Sequence, residues 1–134
     1  MNIQIDYISD YGDIEKERIV LKVMSDTDLG KYLLATTNEL QDSRISSKIQ
    51  SVFWLPDQAL KTGDRVVIYS KSGLKSNRKN DDGTITYFFY WGLPTSLTTI
   101  KDCGVVLFET TWTFKRVIPM HQDTETPIQN PSEK

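Results

Sequence analysis

Thr84-Ile85-Thr86-Tyr87-Phe88-Phe89-Tyr90-Trp91 places five aromatic and three β-branched residues in eight consecutive positions. No other stretch of the chain favours the extended backbone so strongly, because such side chains pack well on a pleated surface. Successive residues of a strand face opposite sides, so Tyr87, Phe89 and Trp91 share one face and Phe88 and Tyr90 the other. With both faces apolar, the strand is predicted to be central in a sheet. Tyr87, Phe89 and Trp91 are expected in the core, and Phe88 and Tyr90 either under a loop or in an aromatic patch that meets a partner, where Tyr and Trp concentrate.

Similar signals recur outward from this segment. Residues 65–69, Arg-Val-Val-Ile-Tyr, follow the turn Lys61-Thr62-Gly63-Asp64 and are predicted to form a hairpin with 84–91, with 71–83 as its long tip. Residues 18–24 carry Ile19, Val20, Leu21 and Val23 and stop at Ser25-Asp26-Thr27-Asp28; residues 31–35 read as a second short strand, with a loop over 36–43. Val52-Phe53-Trp54-Leu55 is closed by Pro56, which has no N–H for a ladder. Residues 105–109 and 112–117 are predicted to pair around Thr110-Thr111. A short helix is allowed between Leu40 and Ile49 by the loose spacing of Leu40, Ile45 and Ile49.

About seven short strands, one after another with no repeat and no internal boundary, predict an all-β protein. The expected architecture is an immunoglobulin-like antiparallel β-sandwich spanning residues 1–118, with a small β-barrel as the alternative and 119–134 as a disordered, polar tail. A chain of 134 residues is long enough for one core.

Three further stretches bear a family likeness. They are residues 18–24 leading into Asp26-Thr27-Asp28-Leu29-Gly30-Lys31-Tyr32, residues 60–69 with their glycine turn before an apolar strand, and Ile100-Lys101-Asp102-Cys103-Gly104-Val105-Val106-Leu107-Phe108. Together they resemble the lamin tail domain, an immunoglobulin-like sandwich found at the end of nuclear lamins and in many bacterial proteins. The resemblance implies a non-catalytic module that binds protein or DNA. It carries over no catalytic residues, since the motifs are packing and turn positions.

Charge and composition narrow the functions. The net charge of −2 gives no general attraction to nucleic acid or anionic lipid. The N-terminus has neither the basic start nor the apolar run of a secretory signal, and no apolar stretch approaches the roughly 18 residues of a membrane span, so a cytoplasmic protein is expected. One cysteine and one histidine, Cys103 and His121, cannot supply a tetrahedral zinc set or a Ser-His-Asp triad within a monomer. Cys103 reads as a small core thiol, and the separated glycines form no phosphate cradle. Asp6, Asp10, Asp13, Asp26 and Asp28 suggest calcium ligands, but Asp-Thr-Asp at a turn more often caps its own backbone. No cofactor, metal or catalytic residue is assigned.

Two surfaces remain. Phe88 and Tyr90 are the candidate protein-binding residues, and self-association through that face or an edge strand is a further expectation. Lys71, Lys75, Asn77, Arg78 and Lys79 form a basic polar loop that is the candidate nucleic-acid contact, opposed by Asp81 and Asp82 and without interleaved aromatics. The leading expectation is a protein-interaction module and the second a nucleic-acid-binding accessory domain. The last is a hydrolase using paired carboxylates, which the 18 acidic residues permit.

Overall fold

The computed structural model describes residues 1–119. The chain is all-β, with ten strands among the described residues: β1 (Ile3–Ser9), β2 (Arg18–Val23), β3 (Thr27–Asp28), β4 (Tyr32–Asn38), β5 (Val52–Trp54), β6 (Ala59–Leu60), β7 (Arg65–Tyr69), β8 (Ser76–Lys79), β9 (Ile85–Tyr90) and β10 (Cys103–Glu109). They form a five-stranded sheet in the order β1-β2-β7-β9-β8, a three-stranded sheet β10-β4-β5 and a short β3-β6 pair. The sheets form a β-sandwich and do not close into a barrel.

The core lies between the two larger sheets. Ile19 and Leu21 of β2, Val66 and Ile68 of β7, and Tyr87 and Phe89 of β9 meet Tyr32 and Leu34 of β4, with Leu29, Leu55, Leu60 and Leu97 closing the ends. Alternate residues therefore point inward, as a strand requires. Burying a side chain of this size is worth about 1.5–3 kcal/mol, which makes this shared face the main source of stability.

Several sequence expectations change. Residues 65–69 and 84–91 do pair, but in parallel, Val67 opposite Phe88 and Tyr69 opposite Tyr90. The antiparallel hairpin is instead β8 with β9, closed by a turn in which the Gly83 N–H bonds the Asn80 carbonyl at 3.0 Å. The physical reason is burial: Ser76-Asn77-Arg78-Lys79 is polar on both faces and takes the edge, where one side meets water, whereas the two-sided aromatic β9 takes the interior. The basic stretch 71–79 is thus in part an edge strand and not wholly a loop.

Residues 36–38 belong to β4 and are not a loop. Thr36 and Thr37 are buried, and the Thr37 hydroxyl donates to the carbonyls of Ser46 and Lys48 at 2.8 and 3.1 Å. The expected helix between Leu40 and Ile49 is a single 3-10 turn at Gln41–Ser43 beside a bridge from Glu39 to Ile45. Strand β10 pairs with β4 across its full length, and 112–117 lies in no strand. The N-terminal β1 was not anticipated, although Ile3, Ile5 and Ile8 contribute to the core. The expected tail from 120 onward, and His121 within it, lie outside the described residues.

Candidate binding face

The outward side of the five-stranded sheet gathers the residues that the sequence singled out separately. Register places Tyr7, Val20, Val67, Phe88 and Ser76 in one row across all five strands. The next row runs through Ser9, Arg18, Tyr69 and Tyr90. Val20 and Val67 are only 2% and 8% exposed, so the middle of this face is apolar and closely covered by its neighbours.

Phe88 and Tyr90 are half-buried, with their rings held from the side. Tyr90 stacks on Tyr69 with ring centroids 5.3 Å apart and planes 13° from parallel. Such a pair contributes about 0.5–1.5 kcal/mol beyond its buried area. Gly73 lies against the Tyr90 ring: a Cβ there would come within 2.6 Å of it. Glycine is required because the backbone itself forms the wall behind the tyrosine.

Cations sit over these rings. The Lys71 ammonium lies 5.5 Å from the Tyr69 centroid and the Arg78 guanidinium 5.6 Å from that of Phe88. Each is worth about 0.5–1 kcal/mol at an exposed site. Neither Lys71 nor Arg78 forms an ion pair among the described residues, whereas Arg18 binds Asp10 at 2.6 Å and Arg65 binds Asp6 at 2.8 Å. The Arg18 contact holds the Asp10 carboxyl below its ordinary range.

The basic group does not stay together. Arg78 stands opposite Thr86 and shares the face of Phe88; Asn77 and Lys79 stand opposite Tyr87 and Ile85, and their parity turns them to the other side of the edge. Lys75 is exposed just before β8. Two cations of the four, Lys71 and Arg78, therefore join the aromatic face. Sequence reasoning missed Tyr69, Val67 and Val20, which alternation along β2 and β7 marks as outward only once the pairing of β7 with β9 is known, and Tyr7 of β1, which joins their row opposite Val20.

Other candidates resolve into local roles. The Asp26 carboxylate accepts the Thr62 N–H and hydroxyl at 2.8 and 3.0 Å, and Asp28 accepts the N–H groups of Gly30 and Gln58. Among the described residues no group of three or more His, Cys, Asp or Glu gathers as a metal site would need. Cys103 is half-buried, and burial, reinforced by the charge of Glu17, pushes its thiol above the ordinary value, which makes it a poor nucleophile at neutral pH. No helix among the described residues is long and apolar enough to cross a membrane.

No protein-family model matches this chain, and no curated protein matches its sequence.

Proposed function

We propose that this chain is a non-catalytic protein-interaction module, an immunoglobulin-like sandwich of the kind its sequence resembles in the lamin tail domain, acting in the cytoplasm. It binds its partner through the outer face of the five-stranded sheet, around Phe88 and Tyr90. The observation that carries this reading is the pairing of Lys71 with the Tyr69–Tyr90 stack and of Arg78 with Phe88 on one continuous, partly apolar face. Aromatic residues and arginine are the side chains that dominate protein interfaces, and cations without acidic partners favour an acidic surface opposite.

The test is capture from native cell extract with the tagged chain beside Phe88→Ser/Tyr90→Ser, followed by titration of the recovered protein against both. Loss of at least tenfold in affinity in the double variant supports the reading, and unchanged binding refutes it. The same cation–aromatic pairs favour a second reading, an accessory site for single-stranded nucleic acid, since stacking on aromatics beside basic groups suits any base. That reading expects binding to a labelled oligonucleotide that weakens steeply between 50 and 200 mM salt, on the order of tenfold per few phosphate contacts.

A further inference from the structure

Three turns meet where β2 ends and β7 and β9 begin. One follows β2 and carries Asp26, one joins β6 to β7 through Lys61-Thr62-Gly63-Asp64, and one joins β8 to β9 and carries Asp82. They are tied side by side. Asp26 accepts the Thr62 N–H and hydroxyl at 2.8 and 3.0 Å, the Gly63 backbone lies against the Thr84 methyl, and Asp82 accepts the Thr84 hydroxyl and N–H at 2.6 and 2.9 Å. Between the turns lies a cavity of about 750 Å³, a size common to small-molecule sites, and loops held on a rigid scaffold are where such sites occur.

The cavity is negative. Asp26, Asp64 and Asp82 line it, and Lys61 is the cation among its described lining residues. At Asp26 and at Asp82 both threonine bonds fall on Oδ1, which leaves Oδ2 for a donor from outside. Those bonds also hold both carboxyls below the ordinary range, led by the Thr62 N–H at Asp26 and the Thr84 hydroxyl at Asp82, so both are ionised at neutral pH.

Tyr87 sets this cavity apart from an ordinary group of surface carboxylates. It is an inward residue of β9 and only 9% exposed. A buried tyrosine hydroxyl usually finds a partner, yet this one makes no hydrogen bond among the described residues. Nor is it sealed away, since the buried side-chain oxygen without a partner among them is Thr27 Oγ1. The Tyr87 hydroxyl therefore opens into the cavity that its side chain lines. Burial first, and then the charge of Asp64, push its pKa up; the field that disfavours a phenolate there favours a cation.

We propose that this cavity binds a small aliphatic polyamine, with ammonium groups on Asp26 and Asp82, the methylene chain along Leu60, Ile85 and the Tyr87 ring, and an amine N–H donated to the Tyr87 hydroxyl. A metal ion does not suit the site, because no three carboxylates among the described residues gather around one point. A flexible chain with several charges spans carboxylates that stand apart, and an ammonium beside a tyrosine ring gains a cation–π contact. The proposal is independent of what the Phe88 face binds.

Calorimetric titration of the full chain with spermidine in low-salt buffer at pH 7 decides it, with an expected Kd on the order of 0.1 mM. Asp26→Asn and Asp82→Asn keep the Oδ1 acceptor for their threonines but remove the charge, and each is expected to weaken binding about tenfold. Tyr87→Phe deletes only the unpartnered hydroxyl, so the urea midpoint should stay and the affinity fall about fivefold. Asp81→Asn, at an exposed carboxylate that does not line the cavity, should leave the affinity within about twofold, which separates a site from diffuse attraction. The proposal is overturned if wild type shows no binding below about 5 mM, if Asp81→Asn costs as much as Asp82→Asn, if Tyr87→Phe leaves the affinity unchanged, or if trilysine peptide binds more tightly than spermidine.

Discussion

Glu17 is fully buried, and its carboxylate forms no ion pair among the described residues. It is held by four donors: Oε1 accepts the Ser70 hydroxyl at 2.6 Å and the Leu97 N–H at 2.9 Å, and Oε2 accepts the Ser96 hydroxyl at 2.7 Å and the Gly12 N–H at 3.0 Å. These donors come from the end of β7, from the 3-10 turn at Leu97–Thr99 and from the loop between β1 and β2, so one side chain ties three segments together. Burial works against the charge, but the hydrogen bonds outweigh it, and the Glu17 pKa lies below the ordinary glutamate value. In Glu17→Gln the amide keeps one acceptor oxygen and turns an NH₂ toward the other pair of donors. The hydroxyl in that pair can rotate to accept, but the backbone N–H is left without a partner. An unpaired buried donor costs about 1–3 kcal/mol, and weakening of the remaining charge-assisted bonds brings the expected loss to about 2–4 kcal/mol. Urea unfolding followed by tryptophan fluorescence at pH 7 measures it. A carboxylate whose pKa is lowered on folding stabilises the fold above the unfolded value near 4.3, and this contribution is lost as pH falls through the lower folded value. The gap between wild type and Glu17→Gln should therefore be full at pH 7 and narrow below about pH 4. A loss under 0.5 kcal/mol at pH 7, or a gap that stays constant down to pH 3, refutes this account.

Other perturbations test the remaining geometry. Gly73→Ala drives a methyl group into the Tyr90 ring and is expected to break the Tyr69 stack, lowering the near-ultraviolet tyrosine dichroism and costing about 1–3 kcal/mol, with loss of whatever the Phe88 face binds. Asp64 is buried and accepts the N–H groups of Lys61 and Ile85, both at 2.9 Å, joining the starts of β7 and β9; Asp64→Ala should cost about 2–4 kcal/mol in chemical unfolding. Gly83 turns the β8–β9 hairpin at a φ of +88°, so Gly83→Ala should cost about 1 kcal/mol by strain alone, since nothing crowds the site. Leu74 is 90% exposed, and Leu74→Ser should leave stability within about 0.5 kcal/mol.

The strands that the sequence made legible are those whose inward residues are β-branched or aromatic and whose ends carry turn residues: β2, β5, β7, β9 and β10. Strand β1 escaped because Gln4, Asp6 and Tyr7 dilute its isoleucines, and a bulge between Ile5 and Tyr7 breaks the alternation that would have revealed it. Strand β8 escaped because an edge strand made of Ser, Asn, Arg and Lys has the composition of a loop; its backbone is fixed by β9 and not by its own preferences. Residues 112–117 failed in the other direction, with strand propensity but no strand partner among the described residues. Pairing order is a property of the whole core, and turn residues show only where the chain reverses.

That same pairing explains why the binding face could be read only in pieces. Phe88 and Tyr90 were visible as the second face of β9, and Lys71 and Arg78 as part of a basic stretch, but nothing in the linear order brings them together. They meet because β9 inserts between β7 and β8, which carries Tyr69 to one side of Tyr90 and Arg78 to the side of Phe88. The outer face of the five-stranded sheet thus sets Lys71 and Arg78 against aromatic rings, a combination suited to an acidic partner surface and one that a second copy of the same face would meet with like charge.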